Sequence, residues 1–99
     1  ITQIGALRTN ISVEELKDWF SLSAYGYRGL DAAPVSVGKR DANGLSWTLY
    51  LGTSNGRPVD IAMANSGGGN SLVVMMFSHL DEHDALYRTV FLPMVDSAK

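Results

Sequence analysis

The chain has 99 residues, of which 45% are hydrophobic, and a formal net charge of −2 at pH 7. This length suits one domain with a single hydrophobic core and is too short for two. Its eight Lys and Arg residues are scattered, whereas binding to nucleic acid or an anionic membrane relies on clustered basic side chains. Because the sequence contains no cysteine, disulfides, thiolate metal sites and cysteine nucleophiles are excluded. We therefore expect one domain over residues 1–99 that does not bind nucleic acid.

The termini and the hydrophobic runs bear on processing and membranes. The longest apolar run, residues 72–77, is far shorter than the ~20 residues that a membrane-spanning helix needs, so we expect no membrane span. No signal peptide is visible. The chain opens at Ile1 in strand-like sequence without an initiator methionine. We interpret this opening as the mark of a processed or excised piece of a longer protein.

A first helix is predicted from a capping box. The hydroxyl of Ser12 can accept from the backbone N–H of Glu15, while the Glu15 carboxylate reaches back to the helix start. Ile11 and Leu16 flank this box and can form a hydrophobic staple. The helix is predicted to end at residues 24–26, where a glycine permits the left-handed conformation.

Five strands are predicted, at residues 1–7, 35–42, 45–53, 58–65 and 71–78. Asn43-Gly44 and Asn55-Gly56 join three of them. Asn-Gly between alternating segments is the strongest local hairpin signal, because a type I′ turn needs positive φ at both central residues. The last four strands are therefore predicted to form an antiparallel meander. Residues 72–77 are apolar on both faces, which indicates a central strand covered on both sides.

A second helix is predicted at residues 81–97, with Ser78 or Asp81 as its N-cap. Pro93 is expected to kink or weaken its last turn. The resulting order is β-α-β-β-β-β-α, an α+β fold with a four- to five-stranded antiparallel meander sheet and two packed helices. Trp47 lies on an apolar strand face and is assigned to the core.

The densest polar cluster lies between the last strand and this helix and includes His79, Asp81, Glu82 and His83. Two histidines four residues apart, with an acidic third ligand, are compatible with a metal site. The same residue types are expected at a strand-to-helix junction, where they cap the helix. Because His79 is expected to precede the helix, we predict capping and no bound metal.

No complete active site is recognisable. Residues 66–70 are glycine-rich like a phosphate-binding loop, but a strand follows them and no lysine is near, so we interpret them as a hairpin turn. The sequence has no Gly-x-Ser-x-Gly nucleophile elbow. We therefore predict no catalytic, metal-binding or cofactor-binding residues, and no cofactor.

The candidate interaction surface is Tyr25, Tyr27 and Arg28, because tyrosine and arginine in a connector are enriched at protein interfaces. Six charged residues are interpreted as parts of the solvated surface: Asp18, Lys39, Arg40, Asp41, Arg57 and Asp60.

Several stretches resemble the PsbP/Mog1-like domains: the hairpin at residues 35–50, the strand at 57–64, and the closing helix at 81–87 and 90–95. The resemblance is a pattern of turns and core positions, and it implies a three-layer α-β-α sandwich. More specifically, the chain is similar to an accessory segment that precedes the catalytic domain in some bacterial α/β-hydrolase or serine-hydrolase proteins. That similarity implies an exported bacterial domain, periplasmic or extracellular, with an accessory role.

We therefore expect a non-catalytic accessory or protein-interaction domain, whose partner is a linked catalytic domain, such as an exported bacterial hydrolase, or another protein. The alternative is a small stand-alone enzyme or ligand-binding α+β domain with a pocket between helix and sheet. A third hypothesis is a homo-oligomer that pairs through an exposed strand edge.

Overall fold

The computed structural model describes residues 3–16, 31, 34–42 and 44–98. These form a five-stranded antiparallel sheet with the spatial order β1-β5-β4-β3-β2. The strands are β1 (Gln3–Thr9), β2 (Val35–Ala42), β3 (Leu45–Ser54), β4 (Arg57–Gly67) and β5 (Asn70–Phe77). The predicted meander of the last four strands is confirmed, and β1 adds to it beside β5. The described part of the chain is thus of the α+β class.

Glycines set the turns of the meander. Asn55 and Gly56 have φ values of 52° and 77°, the positive φ that a type I′ turn needs at both central positions. Gly44 also has a positive φ of 75°, whereas its neighbour Asn43 lies outside the described residues. The hairpin predicted at Asn55-Gly56 is therefore confirmed.

The glycine-rich segment joins β4 to β5. Gly67, Gly68 and Gly69 all have positive φ, at 104°, 61° and 80°, a region that side chains other than glycine adopt at a cost. The side-chain oxygen of Asn65 accepts from the backbone N–H of Gly67 at 2.8 Å. This segment is a hairpin turn, as its sequence context predicts.

The first helix begins at its capping box. Residues 13–16 are helical, and the N–H of Glu15 donates to the hydroxyl of Ser12 at 3.3 Å. The Glu15 carboxylate lies 3.5 Å from the same hydroxyl. Leu16 is buried. The continuation predicted as far as residues 24–26 lies outside the described residues.

The C-terminal helix spans residues 83–97 in three consecutive pieces: an α-helical turn (His83–Leu86), a π-helical turn (Tyr87–Phe91) and a second α-helical segment (Leu92–Ser97). The prediction that Ser78 or Asp81 is the N-cap of this helix is wrong. The N-cap is Glu82, which makes no side-chain hydrogen bond to the helix. Its carboxylate instead accepts from the backbone N–H of His79 at 3.1 Å, because the chain turns sharply between β5 and the helix.

The π-helical turn lies next to Pro93. In it the N–H of Leu92 reaches the carbonyl of Tyr87, five residues back. Proline has no N–H to donate, and its ring collides with the carbonyl four residues earlier in a regular α-helix. A wider turn relieves that collision. The helix continues past Pro93 to Ser97, and the irregularity falls one turn earlier than the sequence predicts.

Apolar side chains are buried on both faces of the sheet. On one face the C-terminal helix contributes Phe91 and Val95 to a cluster that contains the fully buried Trp47. On the other face, Leu16 joins a second cluster with Ile61 and other side chains of β3, β4 and β5. The core assignment of Trp47 is confirmed, as is the prediction that β5 is covered on both sides. Within the described part of the chain, no helix has the length and hydrophobicity of a transmembrane span.

Candidate functional site

Asp60 is a charged residue buried inside the sheet, with 1% of its surface exposed. It lies on β4 between Leu51 of β3 and Met76 of β5 in the strand register. The interpretation of Asp60 as a solvated surface charge is therefore wrong. Because β4 is an inner strand with both faces covered, alternation along it does not produce a solvent-exposed side.

His83, the first residue of the C-terminal helix, is the partner of Asp60. Its Nε2 lies 3.0 Å and 2.8 Å from the two carboxylate oxygens of Asp60. Its Nδ1 lies 3.5 Å from a carboxylate oxygen of the exposed Asp84. Its ring packs against Tyr87 at a centroid distance of 5.7 Å, and Tyr87 stacks on Phe91 at 5.4 Å. Three rings spaced four residues apart therefore hold the imidazole over the sheet.

Burial shifts the pKa values of two groups at this site, the Asp60 carboxyl and the Tyr87 hydroxyl. Desolvation raises the pKa of the Asp60 carboxyl above its ordinary value, while its hydrogen bond and electrostatic attraction to His83 act in the opposite direction. The pKa of the Tyr87 hydroxyl is also raised, mainly by burial and then by the charge of Asp60, with Arg40 opposing the shift. The imidazole thus supplies the interaction that water would give to an exposed carboxylate.

A cavity of about 400 Å³ opens beside this pair, between the sheet and the C-terminal helix. Val37 and Leu51 line it from the sheet, and Tyr87 and Arg88 line it from the helix, together with Asp60, His83 and Asp84. Small-molecule sites occupy roughly 300–1,000 Å³ and combine apolar walls with a few polar groups. The cavity therefore suits a small molecule with an apolar body.

The residues that the sequence singled out are not brought together. Tyr25, Tyr27 and Arg28 lie outside the described residues. In the polar cluster, His79 and Glu82 bond to each other through the backbone of His79, while His83 turns to Asp60. Within the described ranges, no group of three or more His, Asp or Glu side chains is placed to hold a metal ion.

Sequence reasoning missed the pairing of Asp60 with His83, which lie 23 residues apart. One signal could have found it. Asp60 stands within residues 59–64, which are otherwise apolar on both faces, beside a strand that was itself predicted to be covered on both sides. An acidic residue in such a strand requires a buried partner.

The two edges of the described sheet differ. β2 is interrupted by a bulge between Ser36 and Gly38. It also carries Lys39 and Arg40. Arg40 makes a bidentate ion pair with Asp96, in which its Nε and Nη2 lie 2.6 Å and 2.7 Å from the two carboxylate oxygens. Bulges and charges on an edge strand keep other strands from adding to a sheet. The β2 edge is therefore protected against further pairing.

The β1 edge has no bulge over its described residues and carries less charge than β2. β1 pairs with β5 in continuous register from Gln3 opposite Phe77 to Thr9 opposite Ser71. Arg8 is its single charged residue. Among the described residues, no strand lies on the other side of β1. The backbone groups on that side are placed to pair with another extended segment.

No protein-family model, curated protein or solved structure matches this chain. Its functional interpretation therefore rests on the β1 edge, the Asp60–His83 pair and the adjoining cavity.

Proposed function

We propose that this chain is a non-catalytic accessory domain that binds another polypeptide by adding it as a strand beside β1. The observation that carries the proposal is the contrast between the two sheet edges. A bulge and charges protect β2, whereas β1 presents seven residues in unbroken register. Strand addition to an exposed edge is a common way of binding peptides, with affinity from main-chain hydrogen bonds and specificity from alternate side chains.

The chemistry of β1 supports a protein partner. Five of its seven residues are exposed, among them the large apolar side chain of Leu7. A nucleic-acid partner would need clustered basic residues, and β1 carries only Arg8. The resemblance to segments that precede bacterial hydrolase domains supports an accessory role in such a protein, with an extended segment of the linked domain or of another polypeptide chain as the bound strand.

Selection of random nine-residue peptides displayed on phage, against the immobilised full chain, tests this proposal. We expect selected peptides to bind saturably and to slow amide hydrogen exchange at residues 3–9. Leu7→Lys, which places a charge on the β1 edge, should abolish binding. Val37→Lys is the matched control, because Val37 is an exposed aliphatic residue on the opposite edge, and it should bind like the wild type. Selected peptides that protect β2 instead of β1 would contradict the proposal.

A second function, small-ligand binding between helix and sheet, is favoured by the cavity beside the Asp60–His83 pair. A fragment library screened by NMR should then give saturable shifts at Val37, Leu51 and Tyr87, and Tyr87→Ala should weaken them. Arg57→Ala, a change outside the cavity lining, serves as the control. Fragments that shift only residues outside the cavity would contradict this second function.

A further inference from the structure

On one face of β1, an exposed leucine side chain lies two residues from a glycine, above which there is open space. Leu7 is 60% exposed. Gly5 lies on the same face, since side chains alternate along a strand. A Cβ built on Gly5 meets no described atom within 4 Å. Together with Val73, Met75 and other residues of β1 and β5, both line a groove along this face.

This spacing is self-complementary under a two-fold rotation. If two β1 strands run antiparallel about an axis through Ala6, Leu7 of each copy lies directly opposite Gly5 of the other. Residues directly opposite in an antiparallel pair have their side chains about 4.5–5.5 Å apart. Each leucine can therefore fill the space above the opposing glycine, a role that aromatic side chains have beside edge glycines in designed sheets.

We propose that the strand that β1 accepts is β1 of a second copy of this chain, paired about Ala6, so that two five-stranded sheets join into one. This inference rests on the proposed function and names the partner of the same edge. An isologous contact of this kind closes with two copies and leaves neither β1 edge open.

The register about Ala6 is favoured over its neighbours because it pairs the most residues of β1 and places Leu7 opposite Gly5. It pairs all seven residues of β1, with Gln3 opposite Thr9 and Arg8 opposite Ile4. No like charges face each other, because Arg8 is the only charge on the strand. A register centred on Gly5 pairs five residues of β1 with each other in place of seven, and it places Leu7 opposite Gln3. Hence the second copy, in this one register, is the occupant that β1 fits best.

Sedimentation equilibrium of the full chain tests directly whether two copies associate. With rising concentration we expect the mass to approach twice the 10.7 kDa of one chain. Leu7→Lys and Leu7→Glu should each remain monomeric, because like charges then meet diagonally across the axis at roughly 7–8 Å. An equimolar mixture of these two variants should regain the dimer mass, which shows that each variant is folded. Val37→Lys should dimerise like the wild type.

Single-cysteine variants test the register, since the chain has no other cysteine. Ala6→Cys should form an intermolecular disulfide under mild oxidation, because two residues on the axis lie within the ~4.4–6.8 Å Cα separation that a disulfide spans. Gly5→Cys, displaced to a diagonal pair, and Val37→Cys, on the other edge, should cross-link much less.

The possible failures are distinguishable. A wild-type chain that stays monomeric at every concentration overturns the second copy as partner, while displayed peptides that bind β1 still support the proposed function. Dimers that persist in Leu7→Lys and cross-link at Val37→Cys overturn the β1 interface itself. Cross-linking at Gly5→Cys in place of Ala6→Cys overturns the register about Ala6.

Discussion

The Nε2 atom of His83 bonds to both carboxylate oxygens of Asp60, at 3.0 Å and 2.8 Å, and thereby ties the start of the C-terminal helix to the middle of the sheet. The carboxylate is buried, and helix and sheet bury apolar side chains around the pair. Removing His83 would leave the Asp60 carboxylate buried without this hydrogen bond, which is costly in a protein interior.

Asp60 should make the stability of the protein fall as pH rises through one window. The pKa of its carboxyl is raised in the folded state by burial. The pH window runs from the ordinary aspartate pKa of about 3.9 up to this raised pKa. Within it the unfolded chain has lost a proton that the folded chain keeps. In that window the free energy of unfolding contributed by Asp60 decreases with rising pH. Urea unfolding of the wild type and Asp60→Asn across this range should show their difference shrinking as pH rises. A wild-type advantage that grows with pH in this window would contradict the assignment.

Asp31 should have the opposite dependence, because it stabilises the Asn55-Gly56 turn. Its two carboxylate oxygens accept from the N–H groups of Asn55 and Gly56, each at 2.9 Å. Both hydrogen bonds lower the pKa of Asp31, and the one from Gly56 has the larger effect. Its contribution to stability is therefore present above the ordinary aspartate pKa and is lost as pH falls through the lowered one. Asp31→Ala should speed amide exchange at Asn55 and Gly56, measured by NMR at neutral pH. Unchanged exchange at both amides would show that the turn does not depend on Asp31.

On the sheet face that the C-terminal helix covers, Trp47 should be the core position whose truncation costs the most stability. It is fully buried, so Trp47→Ala should cost ~3–5 kcal/mol of unfolding free energy. Trp47→Phe should cost less, because it keeps an aromatic ring and removes an indole N–H that has no hydrogen-bond partner within the described structure. Leu80→Ala, at an exposed position, should change stability by no more than about 0.5 kcal/mol. Chemical denaturation of the three variants provides the comparison, and equal losses at Trp47 and Leu80 would refute the core assignment.

The isolated chain should not hydrolyse esters, although it contains an Asp–His pair whose carboxylate is buried. The Nε2 of His83 is bonded to Asp60, and the buried hydroxyl of Ser78 has no hydrogen-bond partner within the described structure. Acyl transfer needs a nucleophile held against such a base and donors aimed at the developing oxyanion. Turnover of p-nitrophenyl acetate should not exceed that of a denatured control. Saturable turnover that disappears in His83→Ala would show that the pair is catalytic.

The features that the sequence predicts well are those with local causes. The Asn55-Gly56 turn depends on backbone preferences of two adjacent residues, and the capping of the first helix depends on residues as close as Ser12 and Glu15. The burial of Asp60 depends instead on which strands become inner ones, and its hydrogen-bonded contact with His83 joins distant parts of the chain. Glu82 became the N-cap for a related reason: the length of the turn after β5 decides where the helix starts, and several neighbouring residues could have served.

The pairing of β1 with β5 joins residues 62 to 74 positions apart in the chain, from Thr9 opposite Ser71 to Gln3 opposite Phe77, and this has a consequence for the order of folding. The hairpins of the meander close short loops, while β1 must wait for a long loop to close, which is entropically slower. We therefore expect β2 to β5 to form first and β1 to dock last, with β5 briefly open along one side. In the monomeric Leu7→Lys variant, the amides of β1 should exchange with solvent faster than those of β4, through openings that leave the meander intact.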